Sequence, residues 1–307
     1  MTYNLITILG PTASGKTKLA VQLAAQLQGE IISGDSRQVY RGMDIGTGKD
    51  LNEYQVNNQH IPYHLIDIVE AGDSYHIHKF QEDFQLAFDD IRQRNKLPIL
   101  CGGSGMYLEA VLKGYQLTSI PIDEANRAIL ESKTTVELRA IFDALQTPYT
   151  AQADTSTRKR LLRAIEINRF LMENPDHEIP NKAVPNALIF GLNPELEVRR
   201  ERITKRLHER LQNGMIEEVK TLLDAGTPAE KLIFYGLEYK FLTQYLQGEL
   251  SYDVMVERLN IAIHQFAKRQ MTYFRKMEKD GLEIHWLNSE LPFDKLFEEI
   301  MDKLNNQ

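Results

Sequence analysis

The sequence predicts an α/β protein built on a parallel sheet with helices on both faces and interrupted by a mostly helical insertion. Three observations carry this. Short apolar runs alternate with helix-period patterns through the first third of the chain. From about 117 to 187 the sequence turns polar and strand-poor, punctuated by Pro121, Pro148, Pro175, Pro180 and Pro185. An apolar strand signal then returns at 188–192, and long helical patterns follow it.

In order, residues 5–9 (LITIL) read as a buried strand and 16–26 as a helix that turns Leu19, Ala20, Leu23 and Ala24 inward. A shorter strand is expected at 30–33. At 80–92 the spacing of Phe80, Phe84, Ala87, Phe88 and Ile91 puts them on one helical face. A strand follows at 97–101, and a helix opens at 106–112. Within the insertion, 135–145 and 158–172 have helical spacing. After the strand at 188–192, helices are expected over 195–212, 216–225, 237–246 and 252–276. The predicted division is a core of 1–116 and 188–307 around an insertion of 117–187. There is no internal repeat and no low-complexity tract.

Composition bounds the function. The chain has 307 residues, 42% apolar and 26% charged, which is two domains' worth of length at ~150 residues each. No run approaches the ~20 apolar residues of a membrane-spanning helix, and no membrane association is expected. The opening MTYNLITILG lacks the cationic region of a signal peptide. A single cysteine, Cys101, excludes a disulfide framework and a multi-cysteine zinc site, so a reducing, cytoplasmic setting is expected. His60, His76 and His78 lack partners at metal-ligand spacing and read as structural or surface residues. Nothing in the sequence demands an oligomer, and a monomer is expected.

The net charge of −7 argues, as an average, against nucleic acid. Three segments run against it. Arg158, Lys159, Arg160 and Arg163 cluster. Arg199, Arg202, Arg206 and Arg210 recur at helical spacing beside an inward stripe of Ile203, Leu207 and Leu211. Lys268, Arg269, Arg275 and Lys276 lie near Phe266, Tyr273 and Phe274, the last two reading as core. Each segment alone reads as a solvated helix face; together they make a surface for a polyanion.

The strongest motif is Gly10-Pro11-Thr12-Ala13-Ser14-Gly15-Lys16-Thr17, which matches G-x-x-x-x-G-K-[ST] between a strand and a helix. Its glycines let backbone N–H groups turn inward around a phosphate, and the helix N-terminus adds positive potential. Lys16 is placed to reach terminal phosphate oxygens and the Thr17 hydroxyl to ligate Mg²⁺. The loop is expected to bind a di- or triphosphate; the motif is the one shared by ATP-binding proteins. No aspartate ends the strand at 97–101, which runs into Gly102-Gly103-Ser104-Gly105, and no [NT]-K-x-D segment is present. A switch-type GTPase is therefore disfavoured. Asp35 and Ser36 follow the strand at 30–33. In an open parallel sheet, ligands sit at the carboxyl ends of the strands, so loops 10–17, 35–36 and 102–105 should share one crevice. Asp35 reads either as a turn or cap residue or as a carboxylate placed for metal or base chemistry.

These segments resemble one family. GPTASGKT (10–17), SGDSRQVY (33–40), MDIGTGK (43–49), PYHLID (62–67), GGSGMY (102–107), RLLRAIEI (160–167) and AKRQMTYFR (267–275) are collinear and similar to the motifs of bacterial tRNA dimethylallyltransferases. The resemblance implies a P-loop, nucleoside-kinase-like core with a helical insertion that helps clamp RNA. It implies dimethylallyl diphosphate rather than ATP in loop 10–17, and transfer of its dimethylallyl group to the exocyclic N6 of adenosine 37 beside the anticodon. The tRNAs implied read codons beginning with U. By the same resemblance Asp35 is the general base, Lys16, Thr17 and Mg²⁺ serve the diphosphate, and Arg202 assists it. Asp35, Ser36, Arg37, Gln38, Ser104, Arg127, Lys159, Arg160, Leu161, Leu162 and Arg163 fall where the family contacts the anticodon stem-loop. Lys268 and Arg269 join them from the third basic segment. The chain departs from the family pattern at Tyr63, Lys79, Ile263-His264 and Tyr273, and its insertion is short. Three other readings remain open from the residues: a small-molecule P-loop kinase, an adenylate isopentenyltransferase, and an RNA-binding protein without catalysis. The kinase leaves the basic segments unexplained, and the nucleotide-prenylating enzyme has less need of the insertion.

Overall fold

The computed structural model describes residues 3–178 and 183–305; Pro180, expected as punctuation in the insertion, lies outside them. The chain forms two compact units, Met1–Lys113 with Val184–Gln307, and Gly114–Ala183. The second unit thus starts and ends a few residues before the expected insertion, because 184–186 lead into a strand that opens at Ala187.

Through the first half the elements run β1 (Leu5–Leu9), α1 (Lys16–Leu27), β2 (Glu30–Ser33), β3 (Gln55–Val56), β4 (Gln59–His60), β5 (Tyr63–His64), α2 (Ile77–Gln93), β6 (Pro98–Gly102) and α3 (Gly105–Leu112). The insertion contributes α4 (Glu124–Glu131), α5 (Thr135–Asp143) and α6 (Arg158–Glu173). The core resumes with β7 (Ala187–Leu192), α7 (Leu196–Gln212), α8 (Met215–Asp224), α9 (Ala229–Phe234), α10 (Leu237–Leu246), α11 (Tyr252–Lys279), β8 (His285–Leu287) and α12 (Phe293–Asn305).

The main sheet has the order β5-β2-β6-β1-β7-β8 with every pairing parallel, as expected. Its strands read as continuous apolar runs because both faces are covered, and alternate residues enter different cores. Ile6, Ile8, Ile31, Ile99, Cys101 and Phe190 face α1 and α12, whereas Leu5, Leu9, Ile32, Leu100 and Ile189 face α2, α3 and α11. A third apolar cluster joins α7, α8, α10 and α11, with Ile203, Leu207 and Leu211 inward as their spacing predicts.

Several elements lay beyond the sequence reading. β5 and β8 are edge strands of two and three residues, too short to show a period. The hairpin β3–β4, together with α4 and α9, is likewise brief. In α12 the signal was present and unread: Phe293, Leu296, Phe297, Ile300, Met301 and Leu304 recur at helical spacing and pack into the α1 side of the core.

In the second unit, Leu130, Leu138, Phe142, Leu161, Leu162, Ala164 and Ile165 form a core of their own. A capping box between Thr134 and Glu137 starts α5. The cations predicted to meet RNA here are mostly used internally. Arg127 makes a bidentate pair with Glu166 at 2.7 Å and 2.7 Å. Arg163 donates to Ile120 O at 2.5 Å, and Arg158 to the carbonyls of Glu131 and Lys133 at 2.8 and 2.7 Å. Arg160 pairs with Asp154 at 2.7 Å, while Lys159 is exposed. Leu161 and Leu162, expected among the RNA contacts, have buried side chains that serve this core.

Candidate active site at the carboxyl edge of the sheet

The loop 10–17 links β1 to α1 at the carboxyl edge of the sheet. It is tight: a Cβ on Gly10 would lie 2.7 Å from both Leu192 O and Ser14 Oγ. Gly15 caps α1 at φ +85°, a conformation that favours glycine. The Ser14 hydroxyl is buried with no hydrogen-bond partner. Lys16 reaches back to Pro11 O at 3.5 Å. Burial pushes its ammonium down from the usual lysine range, and the nearby Cys101 and Asp35 oppose that shift. Cys101 itself is buried, and its thiol is pushed up to about 12, chiefly by burial.

Asp35 lies just past β2. Its Oδ1 accepts the Arg37 N–H at 2.8 Å, so it does close a turn, and its charge also reaches Lys16. The turn reading of Asp35 is thus met. Ser36 N–H donates to Ser104 Oγ at 3.1 Å, which ties this turn to the second glycine loop. The two backbones run in contact, since a Cβ on Gly102 would fall 2.3 Å from Gly34 O. Gln38 faces inward, accepting from Ser33 Oγ at 2.9 Å and donating to Gly48 O at 3.0 Å.

Residues outside the predicted site hold these loops together. Gln270, on α11, accepts the Thr12 N–H at 2.8 Å and donates to Gly103 O at 2.8 Å, bridging the two glycine loops with one buried amide. Arg206 donates to Thr12 Oγ1. Its guanidinium is lowered to about 10 by burial and by Arg210, against the pull of Asp50, Glu238 and Glu53. Arg210 pairs with Asp50 at 3.0 Å. Of the α7 arginines expected to form a basic face, Arg206 turns to Thr12 of the phosphate loop and Arg210 to Asp50, because the adjacent stripe of α7 packs into the helical core. Arg202 is exposed and lines the same cavity. The sequence signal for Gln270 was its place in AKRQ; for Arg206 it was its position one turn after Arg202.

The segment MDIGTGK is latched. Glu218 accepts the N–H groups of Asp44, Ile45 and Gly46 at 2.7, 2.6 and 3.0 Å and the Tyr239 hydroxyl at 2.6 Å. Fully buried Lys49 donates to Tyr40 O at 2.7 Å, Asp44 at 2.6 Å and Asp67. The family departures fill ordinary packing roles. Ile263 is buried in the helical cluster, His264 lies 3.2 Å from Thr204 Oγ1, Tyr273 donates to Glu109 at 2.5 Å and Lys79 pairs with Asp83 at 3.1 Å. Phe274 is buried as expected, whereas Phe266 is exposed beside Arg269. Lys268 and Arg269 are exposed on α11, the helix that carries Gln270.

An open cavity of about 580 Å³ adjoins the loop. One side is polar: residues 13–18, Asp50, Glu53, Arg202 and Arg206. The other is apolar: Leu192, Leu291, Pro292, Phe293 and Leu296. Burial and the neighbouring Asp50 raise the Glu53 carboxyl above the usual range. Among the described residues no group of three His, Cys, Asp or Glu side chains forms a metal cage. Nor is any helix there long and apolar enough to cross a membrane.

A glycine loop with its lysine at the head of a helix, set at the carboxyl edge of a parallel sheet beside an aspartate, is the arrangement of a P-loop fold. Residues 38–277 match the IPP transferase family, and residues 3–63 match the isopentenyl transferase family. The tRNA dimethylallyltransferase 1 of Parabacteroides distasonis is 54% identical over 99% of both chains. The tRNA dimethylallyltransferase 2 of Porphyromonas gingivalis is 54% identical over 97% of this chain and 98% of its own. Among solved structures, the tRNA isopentenylpyrophosphate transferase of Bacillus halodurans superposes with a TM-score of 0.72 at 33% identity, covering 99% of this chain and 96% of that one. A eukaryotic dimethylallyltransferase shares the fold at a TM-score of 0.79 and 24% identity, covering 99% and 80%. The chain belongs to the IPP transferase family, and it is a P-loop prenyltransferase.

Proposed function

We propose that this protein transfers a dimethylallyl group from dimethylallyl diphosphate to the exocyclic N6 of adenosine 37, in tRNAs that read codons beginning with U, releasing diphosphate. The observation that carries the donor assignment is the two-sided cavity. Lys16, Arg202, Arg206 and the loop amides suit an anion, and Leu291, Phe293 and Leu296 suit a short hydrocarbon. Leaving-group charge develops on the diphosphate as its carbon–oxygen bond breaks, so cations lining the cavity act where that charge appears. Arg206, held on Thr12, is one of them alongside Arg202.

Adenine N6 is a weak nucleophile because its lone pair is delocalised into the ring. Asp35, on the crevice beside Lys16, accepts the N6 proton as the new carbon–nitrogen bond forms, a contribution of typically ~10²–10⁴-fold. The acceptor base has to leave its stack to reach that carboxylate. The exposed cations Lys159, Lys268 and Arg269 are the RNA-facing charges, and the enzyme acts as a monomer in the cytoplasm.

The donor set fits Mg²⁺ held jointly with a diphosphate. The Thr17 hydroxyl, which lines the cavity, would be the protein ligand to the ion. When bound, the ion offsets charge on the departing diphosphate.

Incubation with labelled dimethylallyl diphosphate, Mg²⁺ and either bulk tRNA or AMP tests the reading. Label is expected in tRNA. Label in AMP alone would assign the chain to the nucleotide-prenylating enzymes, and label in neither would refute prenyl transfer.

A further inference from the structure

We propose that the exposed ring of Phe234, paired with Arg37, is a stacking platform for an unstacked nucleobase adjoining the acceptor adenosine. The inference rests on the reading of the Asp35 crevice as the RNA end of the site.

Phe234 ends α9 and is 71% exposed, the next residue, Tyr235, being 1% exposed. Tyr235 is fixed on all sides. Its hydroxyl accepts the Gly72 N–H at 2.6 Å and donates to Asp73 O at 3.0 Å, and its ring centroid lies 4.4 Å from that of Tyr40. The chain at Phe234 is therefore anchored while the ring is presented to solvent. A single exposed apolar side chain is unremarkable in itself; the neighbours of this one are not. The Arg37 guanidinium carbon lies 5.5 Å from the ring centroid. The Arg37 N–H, in turn, donates to the Asp35 carboxylate at 2.8 Å. The guanidinium beside this aromatic face thus belongs to a residue two places along the chain from the proposed general base.

Such a pair fits one class of partner. Every nucleobase offers a π face to an aromatic ring, and RNA recognised in single-stranded loops is read by stacking on aromatic and arginine planes. The guanidinium also supplies the positive charge that a flanking phosphate needs. Extruding the acceptor adenosine breaks its stack with a neighbour, and the platform gives that neighbour a replacement surface.

The test compares wild type with Phe234→Leu, Phe234→Ala and Phe234→Trp, using the full chain, an unmodified anticodon stem-loop and dimethylallyl diphosphate. Removing a stacking ring should lower kcat/KM for the RNA by roughly 5- to 150-fold, seen mainly in KM. KM for dimethylallyl diphosphate and the melting temperature should stay put. Phe234→Trp should restore RNA KM, whereas Phe234→Leu, apolar but flat-faced no longer, should not. Wild-type RNA KM in Phe234→Leu would overturn the platform, and so would a change in oligomeric state with unaltered kinetics. Failure of the wild type itself to prenylate any tRNA would instead overturn the underlying reading and the platform with it.

Discussion

Replacing Gln270 by leucine should impair the diphosphate half of the reaction far more than RNA binding. Leucine approximates the glutamine's bulk, so water does not simply take the amide's place. Two backbone groups then lose their partners, the half-buried Thr12 N–H and the buried Gly103 carbonyl, each now satisfied at 2.8 Å. An unsatisfied buried group costs ~1–3 kcal/mol, so the loops face ~2–6 kcal/mol in total unless they move apart. If they move, Thr12 carries with it the oxygen that Arg206 donates to. A displacement that forfeits ~2–4 kcal/mol of transition-state stabilisation lowers kcat/KM by roughly 30- to 1000-fold. The assay is steady-state prenyl transfer with dimethylallyl diphosphate varied at saturating tRNA, with tRNA affinity measured separately and folding checked by melting. Gln270→Glu keeps the acceptor for Thr12 but lacks the donor for Gly103, and should fall between leucine and wild type. A folded Gln270→Leu protein with unchanged kcat/KM for the diphosphate would refute the reasoning.

Other outcomes follow from the same structure. Asp35→Ala should abolish turnover while tRNA binding, measured by filter retention, stays within a few-fold of wild type; near-normal turnover would remove Asp35 as base. The affinity for tRNA should fall steeply between low and moderate salt, as expected where lysine and arginine side chains displace counterions; a flat response would argue against a backbone-gripping mode. Glu30 is held by the Arg94 guanidinium and then by His64, which keep its carboxyl below the usual range. With the folded value lowered, its contribution to stability is present above the unfolded glutamate value of ~4.3 and is lost as pH falls below that. The wild-type melting temperature should therefore drop more steeply than that of Glu30→Gln on acidification below about pH 4.5.

The parts of this protein that could be read from sequence are those in which one residue's neighbours decide its state. The phosphate loop is such a case, because strand Leu5–Leu9, the glycine loop and helix Lys16–Leu27 follow one another directly in the chain. The strands β1, β6 and β7 were legible because burial on both faces leaves an uninterrupted apolar run. The elements at the sheet edges were not, since two or three residues carry no period. The site divided in the same way. Asp35 and Lys16 sit in local motifs, whereas the contact between Gln270 and Thr12 spans 258 residues of chain and exists only once α11 has packed. The arginines of α7 show the limit most clearly. Helical spacing placed them on one face, but only tertiary packing decided that Arg206 meets Thr12 in the phosphate loop and Arg210 meets Asp50. In the insertion, charge density could not show which cations have partners within the protein: Arg163 donates to a backbone carbonyl, and Arg127 pairs with Glu166.

The lone thiol has a practical consequence. Cys101 lies in the sheet, buried, with its ionisation pushed up to about 12, so at neutral pH it offers almost no thiolate to a labelling reagent. The natural chain is thus already a quiet background for a reporter. A cysteine introduced on an exposed stretch of α11, or in the separate unit Gly114–Ala183, would take a fluorophore or spin label alone. The distance between two such labels, followed as tRNA is added, would then measure whether the two units change their separation when the substrate is gripped, without first deleting a native residue.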